Sequence, residues 1–402
     1  MNLSSEIFQA DCKRWEGSKP CEIQRQVNRP NCLGCDQYEP APECNKPATT
    51  ECSDRDLIVT AGKIGIVEMG GLGSILRTTA VTKAIKSINP HAQINWFTHQ
   101  RGVELLGYVP EVDPINIKPS NSKVELYAKK QDLIINFEMS ELAKQVILKA
   151  IRVYGFNINR QGNFFTNNLN FKYLQRLQVD NEFRSENRLT FQQVLLTCVG
   201  LGHMPSQYSV IVPEEKMLYS RQLLSELLSN SEPSNIVGLN IGTSENGRVR
   251  RWPAQYYAEL AIKLSQEYPN LGIIVLYGPD DYKILNEVRA FLGNFKRPNL
   301  ALLPSNLEIG DFLGLVSNLD IMVTSNSFAF HAAKSQSIPV VTFDNPLPPQ
   351  EMEIQPGDTQ ITPNLACGPC YNKCTQDFTG YCMSTINVNQ VFNAVSRVLS
   401  LV

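Results

Sequence analysis

The stretch EMGGLGSILRTT, residues 68 to 79, sets a hydroxyl, Ser74, behind Gly70, Gly71 and Gly73, where an apolar run gives way to a helix-like one. Strand, glycine turn and helix in that order form a ligand-binding turn in many α/β domains. These glycines, with Gly65 upstream, let the backbone come close to whatever binds. Ser74 stands where such a turn would carry a reactive group, yet a hydroxyl alone is a poor acid or base at neutral pH.

A second set of residues suits a phosphate. After the apolar run VGLNIG comes TSENGRVRRWP, with Thr243 at its start and Arg248, Arg250 and Arg251 close together. A guanidinium fork pairs with two phosphate oxygens at once; the plainer alternative is a solvated basic loop. In VLYGPDD, Gly278 makes a tight turn and Asp281 stands at a helix start, where it would hold a ribose hydroxyl or cap the helix. In VTSNSFAFHAAKS, Ser325, Asn326 and Ser327 mark a strand-to-helix junction, an anion site or an ordinary N-cap, and His331 follows one turn later. Together the three turns describe a pocket for a nucleotide diphosphate.

A third set is thiols. Of eleven cysteines, Cys198 sits alone in an apolar helix-like run and reads as a core residue. Cys367, Cys370, Cys374 and Cys382 fall within sixteen residues, the spacing of a tetrahedral zinc or iron site. Cys12, Cys21, Cys32 and Cys35 form a second such set, with an iron–sulfur cluster as the alternative for either and unliganded thiols as the plainest reading. Four thiolates leave no open position, so the expected role is structural.

These groups need a scaffold. Residues 1–55 are rich in Cys, Pro and charge and lack apolar periodicity, a segment that needs a staple to fold. From Lys63 on, KIGIVEM, AQINWFT, DPINI and DLIINFE read as buried strands, with helical stretches such as SILRTTAVTKAIKSI and SELAKQVILKAI among them. After a less regular stretch over 155–205, a second alternating set begins at NIVGLNIG. Alternation of this kind implies α/β architecture with parallel sheets. The expected organisation is a cysteine-rich segment 1–55, an α/β domain 56–205 and a second α/β domain 206–402, with ligands in a cleft between the two domains.

The net charge of −2 and pI near 6.2 give no general affinity for nucleic acid or anionic membrane. No apolar run reaches the roughly 18 residues of a membrane span, and the N-terminus lacks the pattern of a secretory signal. A cytoplasmic protein is expected, with room for peripheral membrane contact.

The order and spacing of GGLGSILRTTAVTKAIKSI, VGLNIGTSENGRVRRWPAQYYAELA, VLYGPDD, LGLVSNLDIMVTSNSFAFHAAKSQSIPVVTFDNP and CGPCYNKC resemble the bacterial heptosyltransferases of glycosyltransferase family nine over residues 60–395. The resemblance implies a GT-B fold, two Rossmann-like domains facing a central cleft. It implies inverting transfer of a sugar from a nucleotide-diphosphate donor, ADP-heptose-like, with the acceptor in the N-terminal half and the donor in the C-terminal half. Arg250 falls at the family's phosphate-contacting lysine, Asn326 and Ser327 at its Asp-Thr pair, and His331 at its histidine. Gly71, Gly73 and His99 would lie on the acceptor side. The family turn carries Gly-Asp, with the aspartate as general base, where this chain has Gly73-Ser74. Glu138, at the end of DLIINFE, is the substitute expected to face the same place, with His99 and Glu68 as alternatives. Some family members that glycosylate proteins are similar in carrying an iron-binding cysteine finger. The acceptor would be a glycan such as a lipopolysaccharide core sugar, a natural product or a protein side chain. The alternative from a different class is a catalytically inactive relative acting as a binding or scaffold protein.

Overall fold

The computed structural model describes residues 54–401, apart from 119–122, 230–232, 305, 345, 364, 366, 372–373 and 375–380. Cys12, Cys21, Cys32 and Cys35 lie outside the described residues, so nothing is said of their expected metal set. The chain divides into two compact units with the boundary between Ser209 and Val210.

In the first unit the described elements run α1 (Asp54–Thr60), β1 (Lys63–Val67), α2 (Leu72–Ile88), β2 (Gln93–Thr98), α3 (Gln100–Leu106), β3 (Val112–Asn116), α4 (Lys123–Lys129), β4 (Leu133–Asn136), α5 (Glu141–Ile147) and β5 (Val153–Gly155). A short hairpin of β6 (Asn157–Ile158) and β7 (Phe164–Phe165) follows, then α6 (Leu169–Val179), α7 (Asn181–Glu186) and α8 (Phe191–Cys198). The five-stranded sheet has the order β3-β2-β1-β4-β5, and every pairing in it is parallel. Parallel sheets are covered on both faces. That is why β1 is buried beyond its first residue and β4 throughout, and why both read as apolar runs.

The second unit repeats the plan: α9 (Glu214–Leu227), β8 (Asn235–Asn240), a 3₁₀ turn (Glu245–Arg250), α10 (Ala254–Glu267), β9 (Leu271–Leu276), α11 (Tyr282–Leu292), β10 (Leu300–Leu302), α12 (Ile309–Val316), β11 (Ile321–Ser325), α13 (Phe328–Ser335), β12 (Val340–Phe343), β13 (Thr359–Ile361), α14 (Tyr381–Ser384) and α15 (Val388–Leu399). Its sheet is β10-β9-β8-β11-β12-β13, parallel at every pairing.

In each sheet the chain winds outward from the first strand, then returns to that strand's other side. The order therefore reverses between β1 and β4 in one unit and between β8 and β11 in the other. At such a switch point the strand-end loops diverge and leave a crevice at the carboxyl ends. The turn holding Ser74 follows β1, and the arginine loop follows β8.

Local chemistry sets the helix starts. Ser140 caps α5 by accepting from the Ala143 amide, and Thr190 with Gln193 forms a capping box on α8. Pro253 lies just before α10 and not within it. In the first core, Phe171 packs against Phe137, Tyr154 and Phe156, each at 5.4 Å between ring centroids. Gly65 is a packing residue inside β1: a Cβ there would stand 2.8 Å from the Phe97 ring. Gly65 therefore serves strand packing and not the ligand approach expected of it.

Candidate active site

The end of β1 and the end of β4 are neighbours in the sheet, with Val67 opposite Asn136. The residues that follow them meet. The Glu138 carboxylate accepts from the Met69 amide at 3.2 Å and from the Met139 amide at 3.1 Å. The Glu68 carboxylate accepts from the Gly70 amide at 2.8 Å. Two acids thus hold successive amides of the turn that leads to Ser74. Both line a cavity of about 200 Å³, together with Ser74, Arg77, Thr78 and Phe191. The Arg77 guanidinium lies 3.9 Å above the centre of the Phe191 ring.

The turn's geometry depends on small residues. A Cβ on Gly70 would stand 2.7 Å from the Glu68 carboxylate, so that bond needs glycine. Gly71 precedes α2 with φ −60°, an ordinary value, and has open space where a Cβ would be. His99, the N-cap of α3, accepts from the Gly102 amide through Nδ1 at 3.1 Å. Its proton is then on Nε2, which donates to the Gly70 carbonyl at 3.0 Å. His99 is near the turn as expected, but both ring nitrogens are engaged in pinning it.

Burial pushes the Glu68 carboxyl above the usual carboxylate range, and the charge of Glu138 pushes it further; the Gly70 amide and Arg77 pull it back. Burial also raises Glu138, against the Met69 and Met139 amide bonds and the nearby His99. Two such carboxyls titrate as a pair. Glu68 is 8% exposed and accepts from one amide, Gly70, while Glu138 accepts from two, Met69 in the turn and its own neighbour Met139. The proton therefore rests on Glu68 and the charge on Glu138. A carboxylate whose affinity for a proton is raised is a better general base than an ordinary one.

In the second unit the loop after β8 is built around charges that satisfy one another. Arg251 donates to the Asp281 carboxylate at 2.7 Å, and to the Thr243 hydroxyl and carbonyl at 3.0 Å each. Asp281 also accepts from the Gly278 amide at 2.9 Å and the Thr243 amide at 3.4 Å. Thr243, Arg251, Gly278 and Asp281 are thus brought together as expected, but as a clamp between two strand-end loops. Asp281 occupies the N-cap position of α11 without a side-chain capping bond, so it is not the ordinary cap that the sequence suggested. The neighbouring Trp252 is fully buried and donates to the Ile386 carbonyl at 2.8 Å, which anchors the loop.

Arg248 is exposed and Arg250 partly so. At the end of β11, Ser325 is buried, and the Ser327 hydroxyl lies 3.2 Å from that of Thr324. Asn240 donates to Thr324 at 3.0 Å and to Ser327 at 3.4 Å, tying the ends of β8 and β11 together. Asn326 donates to the Asp344 carboxylate at 3.3 Å. Burial raises Asp344 to about 6, against the Leu347 amide, the Arg250 charge and Asn326. His331 is 4% exposed and faces Glu353 at 3.7 Å, a packed histidine paired with an acid. Sequence reasoning missed Arg77 and Asp344. Arg77 is one helical turn past Ser74, and Asp344 ends the apolar run IPVVTFD, both readable signals.

Cys367, Cys370 and Cys374 are half-buried and Cys382 is buried. Among the described residues no three His, Cys, Asp or Glu side chains form a group that could hold a metal. The expected metal set at the C-terminal thiols is thus not gathered among the described residues, and no step of the chemistry is routed through it. Cys198 is a buried core residue, as expected.

Residues 139–378, more than half of the chain, match the family model of glycosyltransferase family 9 (heptosyltransferase). Lipooligosaccharide heptosyltransferase 2 of Campylobacter jejuni is 26% identical over 168 residues, 40% of this chain and 51% of that protein. The chain thus spans about half the length of the curated relatives it matches. Among solved structures, the family 9 glycosyl transferase of Veillonella parvula aligns with TM-score 0.62 at 18% identity, covering 87% of this chain and 100% of that one. ADP-heptose lps heptosyltransferase II of E. coli aligns with TM-score 0.62 at 18% identity, covering 84% and 99%. The iron-containing dodecameric glycosyltransferase TibC of E. coli is more distant, at TM-score 0.50 and 13% identity over 85% and 77%. At these identities the structures speak for the fold, two parallel α/β units of GT-B type. With the family model matching beyond half its length, the chain belongs to glycosyltransferase family 9, the heptosyltransferases.

Proposed function

We propose that the protein transfers a heptose-like sugar, with inversion, from a nucleotide-diphosphate donor such as ADP-heptose to an acceptor hydroxyl. The observation that carries this reading is Glu138 held by the Met69 amide of the turn before Ser74 and by the Met139 amide, inside a cavity. In the transfer, Glu138 takes the proton of the acceptor hydroxyl as its oxygen bonds the sugar's anomeric carbon. The bond from that carbon to the diphosphate breaks, and the diphosphate leaves with the electron pair. Glu68 keeps its own proton, so the pair carries a single charge at rest. Ser74 lines the same cavity and supplies a hydrogen bond to the acceptor, not the base.

The donor belongs to the second unit. Arg250 and Arg248, with the backbone amides at the start of α13, stabilise the leaving diphosphate electrostatically. Arg251 and Asp281 set the shape of the loop that presents them. The acceptor is a glycan, such as a lipopolysaccharide core sugar, a natural product or a protein side chain. Structural zinc or iron at the terminal thiols rests on sequence spacing alone, and metal analysis of the purified full chain checks it.

A panel of ADP-, GDP- and UDP-sugars in thermal-shift measurements tests the reading. An upward shift with an ADP-sugar, followed by nucleotide release when acceptor is added, supports it. A panel that leaves the melting temperature unmoved favours the alternative to which Ser74 points, an inactive relative that serves as a binding protein.

A further inference from the structure

The second unit has a groove far along the sheet from its strand-end loops' switch point, at the edge strand β10. Gly293, with φ 54°, ends α11 and turns the chain into the loop 294–299. That loop, the end of α11 and β10 enclose about 670 Å³. The floor is apolar, formed by Leu292, Leu300, Leu302 and the half-buried Phe295. The rim is cationic: Arg289, Lys296 and Arg297 are all exposed, and no carboxylate is among the described lining residues. Phe291, the chain neighbour of Leu292 on the last turn of α11, is 52% exposed and lies outside the lining. Glu287 is an exposed acid one turn earlier on the same helix and lies outside the lining.

The chain carries a net charge of −2, so three cations in a short segment without lining acids form a local exception to the whole. Apolar floor, cationic rim and an outward aromatic match one chemistry, an anionic headgroup with hydrocarbon behind it. An extended acidic peptide added to β10 would fit less well. Pro298, Lys296 and Arg297 precede that strand, and proline and lysine are the usual guards against strand addition.

We propose that this groove docks the protein onto the anionic face of a phospholipid membrane, with Arg289, Lys296 and Arg297 on the headgroups and Phe291 at the interface. The site is independent of the sugar-transfer reading and does not need it. The contact is peripheral; no helix among the described residues is long and apolar enough to cross a membrane.

The test is co-sedimentation of the full chain with vesicles of phosphatidylcholine alone or mixed with phosphatidylglycerol. Wild type is expected to sediment with the anionic vesicles only, and less so as salt rises. Lys296→Glu with Arg297→Glu should weaken partitioning by about thirtyfold, and Phe291→Ser should weaken it several-fold. Unchanged thermal unfolding of both variants shows that they are folded. The proposal is overturned if wild type ignores anionic vesicles, if the double variant sediments equally well, or if wild type binds soluble polyglutamate and not vesicles.

Discussion

The two switch points share one topology and use charge in opposite ways. At the end of β1 and β4, Glu68 and Glu138 are held by backbone amides and face a cavity. Between the loops after β8 and β9, Arg251 and Asp281 are held by each other. The two amide donors on Glu138 leave that carboxylate charged and able to accept a proton, while Glu68 holds its own. A buried ion pair uses both charges to fix a loop. Titratable groups at a strand end therefore need not be chemical, and their partners tell which they are. The match to the family begins at residue 139, directly after Glu138. The matched stretch thus includes the clamp, while Glu138, the proposed base, lies one residue before it and Glu68 lies far upstream.

The contrast can be broken most sharply at the first site. Glu138→Gln keeps the shape and removes the base, so transfer should fall by about 10²–10⁴-fold with donor binding kept. Steady-state kinetics beside donor titration separates the two. At the second site Arg251→Ala should act on stability, since it leaves Asp281 buried without its cation. A loss of about 3 to 5 kcal/mol is expected in denaturant unfolding. If the variant were as stable as wild type and only failed to bind donor, Arg251 would be a ligand contact.

Asp344 sharpens the comparison through pH. Its folded value near 6 lies above the ordinary carboxylate value of 3.8. The folded state then binds the proton more tightly than the unfolded state. The stability this contributes is present in full below about pH 4 and is lost as pH rises through 6, up to about 3 kcal/mol. Asp344→Asn should flatten that part of the stability profile, measured as melting temperature against pH. The smallest effect expected is at Gly65, where Ala would press on the Phe97 ring. About 1 to 2 kcal/mol of stability should be lost, with the carboxyl pair's titration unmoved.

Much of this was legible in advance because burial on both faces writes itself as apolar runs. DLIINFE is read as a strand for that reason, and β4 is buried throughout. Short, half-buried strands carry no such run. β10 and β13 were unread, and all their residues are of intermediate exposure. α6 is capped by Asn168, whose side chain accepts from two amides, inside the stretch 155–205 that reads as less regular. At the site, Glu138 was legible as an acid ending a strand. Its pairing with Glu68 was not, because the two are joined through sheet order and not through spacing. His331 shows the converse: the resemblance put it among the donor residues, but its burial against Glu353 is a matter of packing that position alone cannot reveal.

The central claim is that Glu138 is the base in a chain whose turn offers only a serine. The rate of sugar transfer as a function of pH tests it most directly. Wild type should lose activity on the acid side at a pH above that of an ordinary carboxylate, because burial raises Glu138. That limb should vanish from the residual activity of Glu138→Gln. An acid limb that persists in the variant, or a variant as fast as wild type, would contradict the account and move the base elsewhere.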